Sequence, residues 1–130
     1  MLKHHVFWLQ FVVLAVVAAL HSLGVYLDWY WELTWLDMVT HTLGGLWVAL
    51  AALWLAYFSG VSQFKFPRKR MLLVAVGSAL VVGILWEVFE VIVAVPTEQN
   101  YYLDTATDIL LDSIGGFVVY VIAQKYYGKT

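Results

Sequence analysis

Four long apolar runs divided by three short polar stretches organise this 130-residue chain. The runs extend from Val6 to Leu27, Trp35 to Phe58, Met71 to Val95 and Asp104 to Gln124. Each approaches or exceeds the about 20 mostly apolar residues that a helix needs to cross a bilayer. The fourth is the weakest, because three acids fall in its first half. The pattern predicts an all-α polytopic membrane protein, a four-transmembrane-helix bundle. It forms a single integral membrane domain over 1–130, with spans at about 6–27, 35–58, 71–95 and 104–124. The short connections predict that consecutive helices are antiparallel neighbours.

Composition agrees. The chain is 63% hydrophobic and 12% charged, with a mean hydropathy of +0.82, whereas a soluble domain is about half apolar and about a quarter charged. Cysteine is absent, which excludes disulfides and thiolate metal sites. The basic residues form no patch interleaved with aromatics, which argues against nucleic-acid binding.

The net charge of −2 says little, because the charges are segregated. Lys3 precedes the first span, Lys65, Arg68, Lys69 and Arg70 lie between the second and third, and Lys125 and Lys129 sit at or beyond the end of the fourth. The positive-inside rule places that side, and with it both termini, in the cytoplasm of a prokaryotic inner or plasma membrane. The opposite loops carry Asp28, Glu32 and Glu98 and no Lys or Arg. Trp29, Tyr30, Trp31, Trp35, Tyr101 and Tyr102 form the outer aromatic belt, and Tyr57, Phe58, Phe64, Tyr126 and Tyr127 the inner one. Lys3 and the run up to Ala18-Ala19 also fit a signal-peptide pattern. The run continues apolar past Ala19, and His21 matches the polar layer below, so a retained span is the preferred reading.

The acids inside the runs converge in depth. At 1.5 Å rise per residue, Asp37 and His41 lie roughly 3 and 9 Å below the outer end of the second span, and Glu90 and Glu87 roughly 8 and 12 Å below that of the third. Asp108 and Asp112 lie roughly 6 and 12 Å into the fourth span, and His21 roughly 9 Å below the outer end of the first. Spacing also puts them on shared faces: Asp37 and His41 at i,i+4, Glu87 and Glu90 at i,i+3, and Asp104, Asp108 and Asp112 as one ridge. Gly44, Gly83 and Gly115 lie next to these groups, where small residues let membrane helices approach. The expected result is a polar centre open toward the outer face.

An acid at a span centre costs about 2.5–3.5 kcal/mol, so five in one layer would cost on the order of 15 kcal/mol before outer-half depth and internal water reduce it. No Lys or Arg is nearby to compensate. The remaining answers are bound cations or protons held on several acids. The spacings suit a divalent metal, with Asp37, His41, Glu87, Glu90, Asp108 and Asp112 as candidate ligands. They resemble the inward-projecting ligands of carboxylate-bridged bundles. Oxygen-rich ligation favours Mg, Ca or Mn, and His41 as a ligand shifts the choice toward Mn, Fe or Zn. Structural roles fit other residues better. His21 reads as a cross-helix hydrogen-bonding group, Asp104 as an N-cap, Trp86 as packing, and Glu32 and Glu98 as solvated loop charges. His41 also admits a plain role, a hydrogen bond to Asp37.

The D-x3-H-x3-G of Asp37, His41 and Gly45, the W-E-x2-E of Trp86 to Glu90 and the D-x3-D-x6-G of Asp104, Asp108 and Gly115 resemble the YjdF-like inner-membrane family. The D-x3-[N/D]-x2-G of Asp108, Asp112 and Gly115 is similar to the VanZ-like family, which carries Asn where this chain has Asp112. Both resemblances concern the last three spans and imply a small polytopic fold with a polar site. VanZ-like proteins are associated with glycopeptide-antibiotic tolerance, and Asp112 makes this site more acidic than theirs.

The expected function is divalent metal binding at an intramembrane carboxylate/histidine centre near the outer leaflet, in the service of metal-dependent hydrolysis or transfer on a lipid or cell-envelope substrate. The alternatives are a proton- or cation-coupled transporter or channel component, and a non-catalytic module that binds an envelope ligand. The expected partners are membrane lipids, an envelope or lipid-like ligand, and a homo-oligomer in the transport reading.

Overall fold

The structure, a computed structural model, describes residues 2–61, 67–93 and 100–127. All its regular structure is helical, and four helices are long and apolar enough to cross a membrane. Helix α1 (Leu2–Tyr26) is followed by a one-turn helix α2 (Trp29–Glu32) and by α3 (Thr34–Leu53). Helix α3 continues as a π-helical turn over Trp54–Phe58, closed by Ser59 N–H donating to the Trp54 carbonyl at 2.8 Å. A 3-10 turn (Arg68–Arg70) leads into α4 (Met71–Ile92), and α5 spans Tyr101–Tyr127. Glu98 and Phe64, placed by sequence in an outer and an inner loop, and Lys65 and Lys129 lie outside the described residues.

The bundle is not symmetric. Helices α3, α4 and α5 form a three-helix core in which each touches the other two, while α1 packs mainly on α3. Contacts fix the directions. Gly115 of α5 lies against Thr42 and Leu46 of α3, and His41 reaches Asp108 and Asp112. Residue numbers therefore rise together, and α3 and α5 run parallel. Gly83 of α4 lies against Asp112, and Gly116 against Ala75, Val76 and Ala79, so α4 runs antiparallel to α5. Two short connections across a triangle of helices give this result: the middle helix opposes both others, and the outer two must agree.

Small residues set the closeness of the parallel pair. A Cβ at Gly45 would overlap the backbone carbonyl of Asp112, and one at Gly115 would overlap the Thr42 carbonyl. Gly45 therefore makes the close approach, whereas Gly44, which spacing suggested, meets only the Asp112 carboxylate at an ordinary 3.8 Å. Below this crossing the core is apolar: Ala49, Leu50 and Leu53 of α3, Met71 and Ala75 of α4 and Val119 of α5. Val6 and Val13 of α1 pack onto it. Trp8, Phe11 and Val12 of α1 and Leu73, Leu85 and Ile92 of α4 point outward, as a lipid-facing surface requires.

The helix ends differ from expectation at one site. Asp104 was expected to cap α5, but the helix begins at Tyr101 and Asp104 lies inside its first turn. Asn100 takes the cap: its Oδ1 accepts from Leu103 N–H at 3.4 Å and its carbonyl accepts from Asp104 N–H at 3.0 Å. An amide oxygen there satisfies an N–H that the helix cannot. At the far end of the core, the Arg68 guanidinium donates to Gln124 Oε1 at 2.9 Å, joining the start of α4 to the end of α5.

Candidate metal centre

Helices α3 and α5 both begin at the acidic end of the bundle, with Asp37 and Asp104 in their first turns. The positive ends of two helix dipoles thus point at the carboxylate layer, which favours negative charge there. Helix α4 ends at the same level with Glu90 in its last turn, where the dipole opposes a negative charge. The two acids of α4 have found donors instead. Glu90 accepts from Trp86 Nε1 at 2.9 Å, and Glu87 Oε2 accepts from Thr105 Oγ1 at 2.8 Å.

His41 is the hub. Its side chain is 7% exposed and lies between three carboxylates. Nδ1 is 3.4 Å from Asp112 Oδ2. Nε2 is 3.7 Å from Asp37 Oδ1 and 3.7 Å from Asp108 Oδ2. The Nε2 separations are too long for direct hydrogen bonds. They suit atoms sharing an ion, because ligands bound at about 2.1 Å on one metal sit about 3–4 Å apart. One ligand atom each from Asp37, His41 and Asp108 lies within 4.8 Å of the others. With a proton on Nδ1 donated to Asp112, the Nε2 lone pair faces Asp37 and Asp108. That is the arrangement in which a carboxylate fixes the tautomer of a metal-binding histidine. The plain alternative, His41 bonded to Asp37, does not match the distances, since Asp112 is the nearer partner.

Burial is graded across the group. Asp108 and Asp112 side chains are 5% and 7% exposed, while that of Asp37 is 35% exposed. Asp37 is therefore the member of the group that solvent reaches.

Of the six residues that spacing nominated, the structure brings four into one group, with Asp37, Asp108 and Asp112 around the His41 imidazole. Glu87 sits in the α4–α5 seam with Thr105, and Glu90 is turned to Trp86, so neither is in the compact group. Two participants were not nominated. Thr105 anchors Glu87, and its position three residues before Asp108 on the same helical face was the available signal. Tyr30 of α2 bonds His21 Nδ1 at 2.8 Å, and its ring packs beside Gly24 and Leu36. Burial pushes the Tyr30 phenol above its ordinary value. His21 thus takes the cross-element hydrogen-bonding role expected of it. Its ring also meets Trp86 edge-on at 5.6 Å, and Trp86 packs on Phe89 at 5.3 Å.

Comparison with known proteins bears on the whole chain. The model of a family described as a predicted membrane protein matches residues 4–129. No curated protein and no solved structure matches.

Proposed function

The chain belongs to the DUF2238 family of predicted membrane proteins, and from that membership and the geometry of the polar layer we propose that it binds a divalent metal and uses it on a lipid or cell-envelope substrate. The observation that carries this reading is the His41 arrangement: Nε2 set between Asp37 and Asp108 at 3.7 Å each, with Asp112 on the other ring nitrogen. Asp37, His41 and Asp108 would hold the ion, and Asp112 would fix the imidazole. A divalent ion in such a seat activates water and polarises an ester or phosphoryl oxygen. The partial exposure of Asp37 leaves a side open for the substrate.

The segregated charges support an orientation with Arg68–Arg70 and Lys125 in the cytoplasm and the metal seat in the outer half. There the reacting group would come from the outer leaflet or the envelope. No Lys or Arg among the described residues of that layer can grip a phosphate, so the ion itself would be the anion-binding element. Proton- or cation-coupled transport is the second reading, favoured by a half-exposed acid leading to a buried histidine.

Elemental analysis of full-length protein purified in detergent without chelator tests the proposal. The expected result is at least one divalent metal per chain, lost in Asp37→Asn and His41→Gln. Metal-free native protein that gains no divalent ion on titration would overturn it. Cation flux in proteoliposomes, abolished by the same substitutions, would transfer the centre to the transport reading.

A further inference from the structure

Glu87 is a buried acid that the Asp37–His41–Asp108 group leaves unused. Its residue is 6% exposed, and while Oε2 is held by Thr105, Oε1 is enclosed and has no hydrogen-bond partner. An unsatisfied carboxylate oxygen in that setting calls for a compensating group. The register between α4 and α5 says what it faces. Gly83 lies against the Asp112 carboxylate and Glu87 bonds Thr105. Residue 87, one turn outward from 83, therefore comes opposite Asp108, one turn outward from Asp112. Asp108 lies within electrostatic reach of both Glu87 and His41.

Charge leads to the same place. Asp37, Asp108 and Asp112 surround the His41 imidazole and Glu87 lies one turn along the α4–α5 seam, so the layer holds four carboxylates, and one divalent ion balances only half of them. Two divalent ions balance all four with His41 neutral.

Resting on the metal reading above, we propose that Glu87 and Asp108 form a second divalent-cation seat, with Asp108 bridging it to the seat made by Asp37 and His41. The centre is then carboxylate-bridged and dinuclear. Thr105 would be a positioning residue, because it holds Oε2 of Glu87 and leaves Oε1 enclosed and available to the second ion. The second seat offers only oxygen donors and the first adds an imidazole nitrogen. Mn2+ accepts both environments and is the probe of choice.

Full-length protein in detergent, stripped with chelator and then freed of it, is titrated with Mn2+ and examined by equilibrium binding and low-temperature electron paramagnetic resonance. Two bound ions per chain are expected, with the spectrum of an exchange-coupled pair. Glu87→Gln is expected to bind one ion and give the spectrum of isolated Mn2+. Thr105→Val, which leaves every ligand in place, is expected to weaken the second equivalent by about tenfold and spare the first. One ion per chain in the native protein, magnetically isolated, would remove the second seat and leave the first intact. No bound ion at all would remove both. The native stoichiometry and spectrum decide the matter even where Glu87→Gln fails to fold.

Discussion

Gly45 of α3 lies directly against the backbone carbonyl of Asp112 of α5, so closely that no side chain fits between them. The contact joins backbone to backbone in a parallel helix pair, and it sits one turn below His41 on the same helix. Closeness at this point brings the His41 ring within 3.4 Å of the Asp112 carboxylate.

Gly45→Ala is therefore expected to force α3 and α5 apart. Overpacking of this kind typically costs about 1–3 kcal/mol. Metal affinity should fall along with the melting temperature, because the ligands come from both helices. Gly44→Ala, whose Cβ would meet only the Asp112 carboxylate at an ordinary 3.8 Å, is the control and should leave both nearly unchanged. Thermal melts and metal titration of the two variants compare them directly, and equal effects would contradict the crossing described here.

Asp112→Asn tests the tautomer. The amide has nearly the same shape, but its NH2 group can donate to His41 Nδ1 and stabilise the opposite tautomer, with the proton on Nε2. Loss of such a supporting carboxylate typically lowers metal affinity about 10–100-fold. Asp37→Asn removes a ligand itself and should cost more. Isothermal titration with Mn2+ or Zn2+ ranks the two, and an Asp112→Asn protein binding as tightly as native would separate Asp112 from the site.

Asp37 and Asp108 approach the same nitrogen of His41 from different helices. Ligands of one ion act as a unit, so the double variant Asp37→Asn, Asp108→Asn should lose little more affinity than the worse of the two singles. Full additivity would mean that the two acids do not share a cation.

Metal binding should respond to pH in one direction. The ligands are needed as carboxylates and a neutral imidazole, so affinity falls as pH drops and protons compete. At about 100 times Kd, an ion stabilises the folded protein by about 2.7 kcal/mol. Chelator should thus lower the melting temperature at pH 8 and have little effect at pH 5. A chelator effect that grows toward pH 5 runs against metal ligation.

Reporter fusions at Gly60 and Asn100 address orientation. The segregation of Lys and Arg from Asp and Glu predicts a cytoplasmic signal at Gly60 and an outer signal at Asn100. Matching signals from the two positions would contradict the four-span arrangement.

The helices and the polar layer were legible in the chain because both rest on periodicity. Apolar length marks a span, and i,i+4 spacing marks a face, so Asp37 with His41 and Asp108 with Asp112 stood out. Partner choice between helices was not legible, because it depends on which backbones approach. Glu90 has suitable depth, but the Trp86 indole on its own helix is the donor within reach, and Glu90 turns to it. Helix α1 carries the same apolar signal as the others, yet composition alone does not say that it packs mainly on α3. Tyr30 was read only as an interfacial aromatic. Its bond to His21 depends on the turn at Asp28, whose left-handed φ of 56° folds α2 back toward α1.

The parallel course of α3 and α5 has a consequence for biosynthesis. Half of the compact group, Asp37 and His41, is made before α4, and the other half, Asp108 and Asp112, comes only with the final helix. A nascent chain that has not yet emitted residue 101 holds an imidazole and a carboxylate with nothing to close around. On the metal reading, ion capture would follow the insertion of the last helix and would lock in place the helix that carries Asp104, Asp108 and Asp112 across the bilayer.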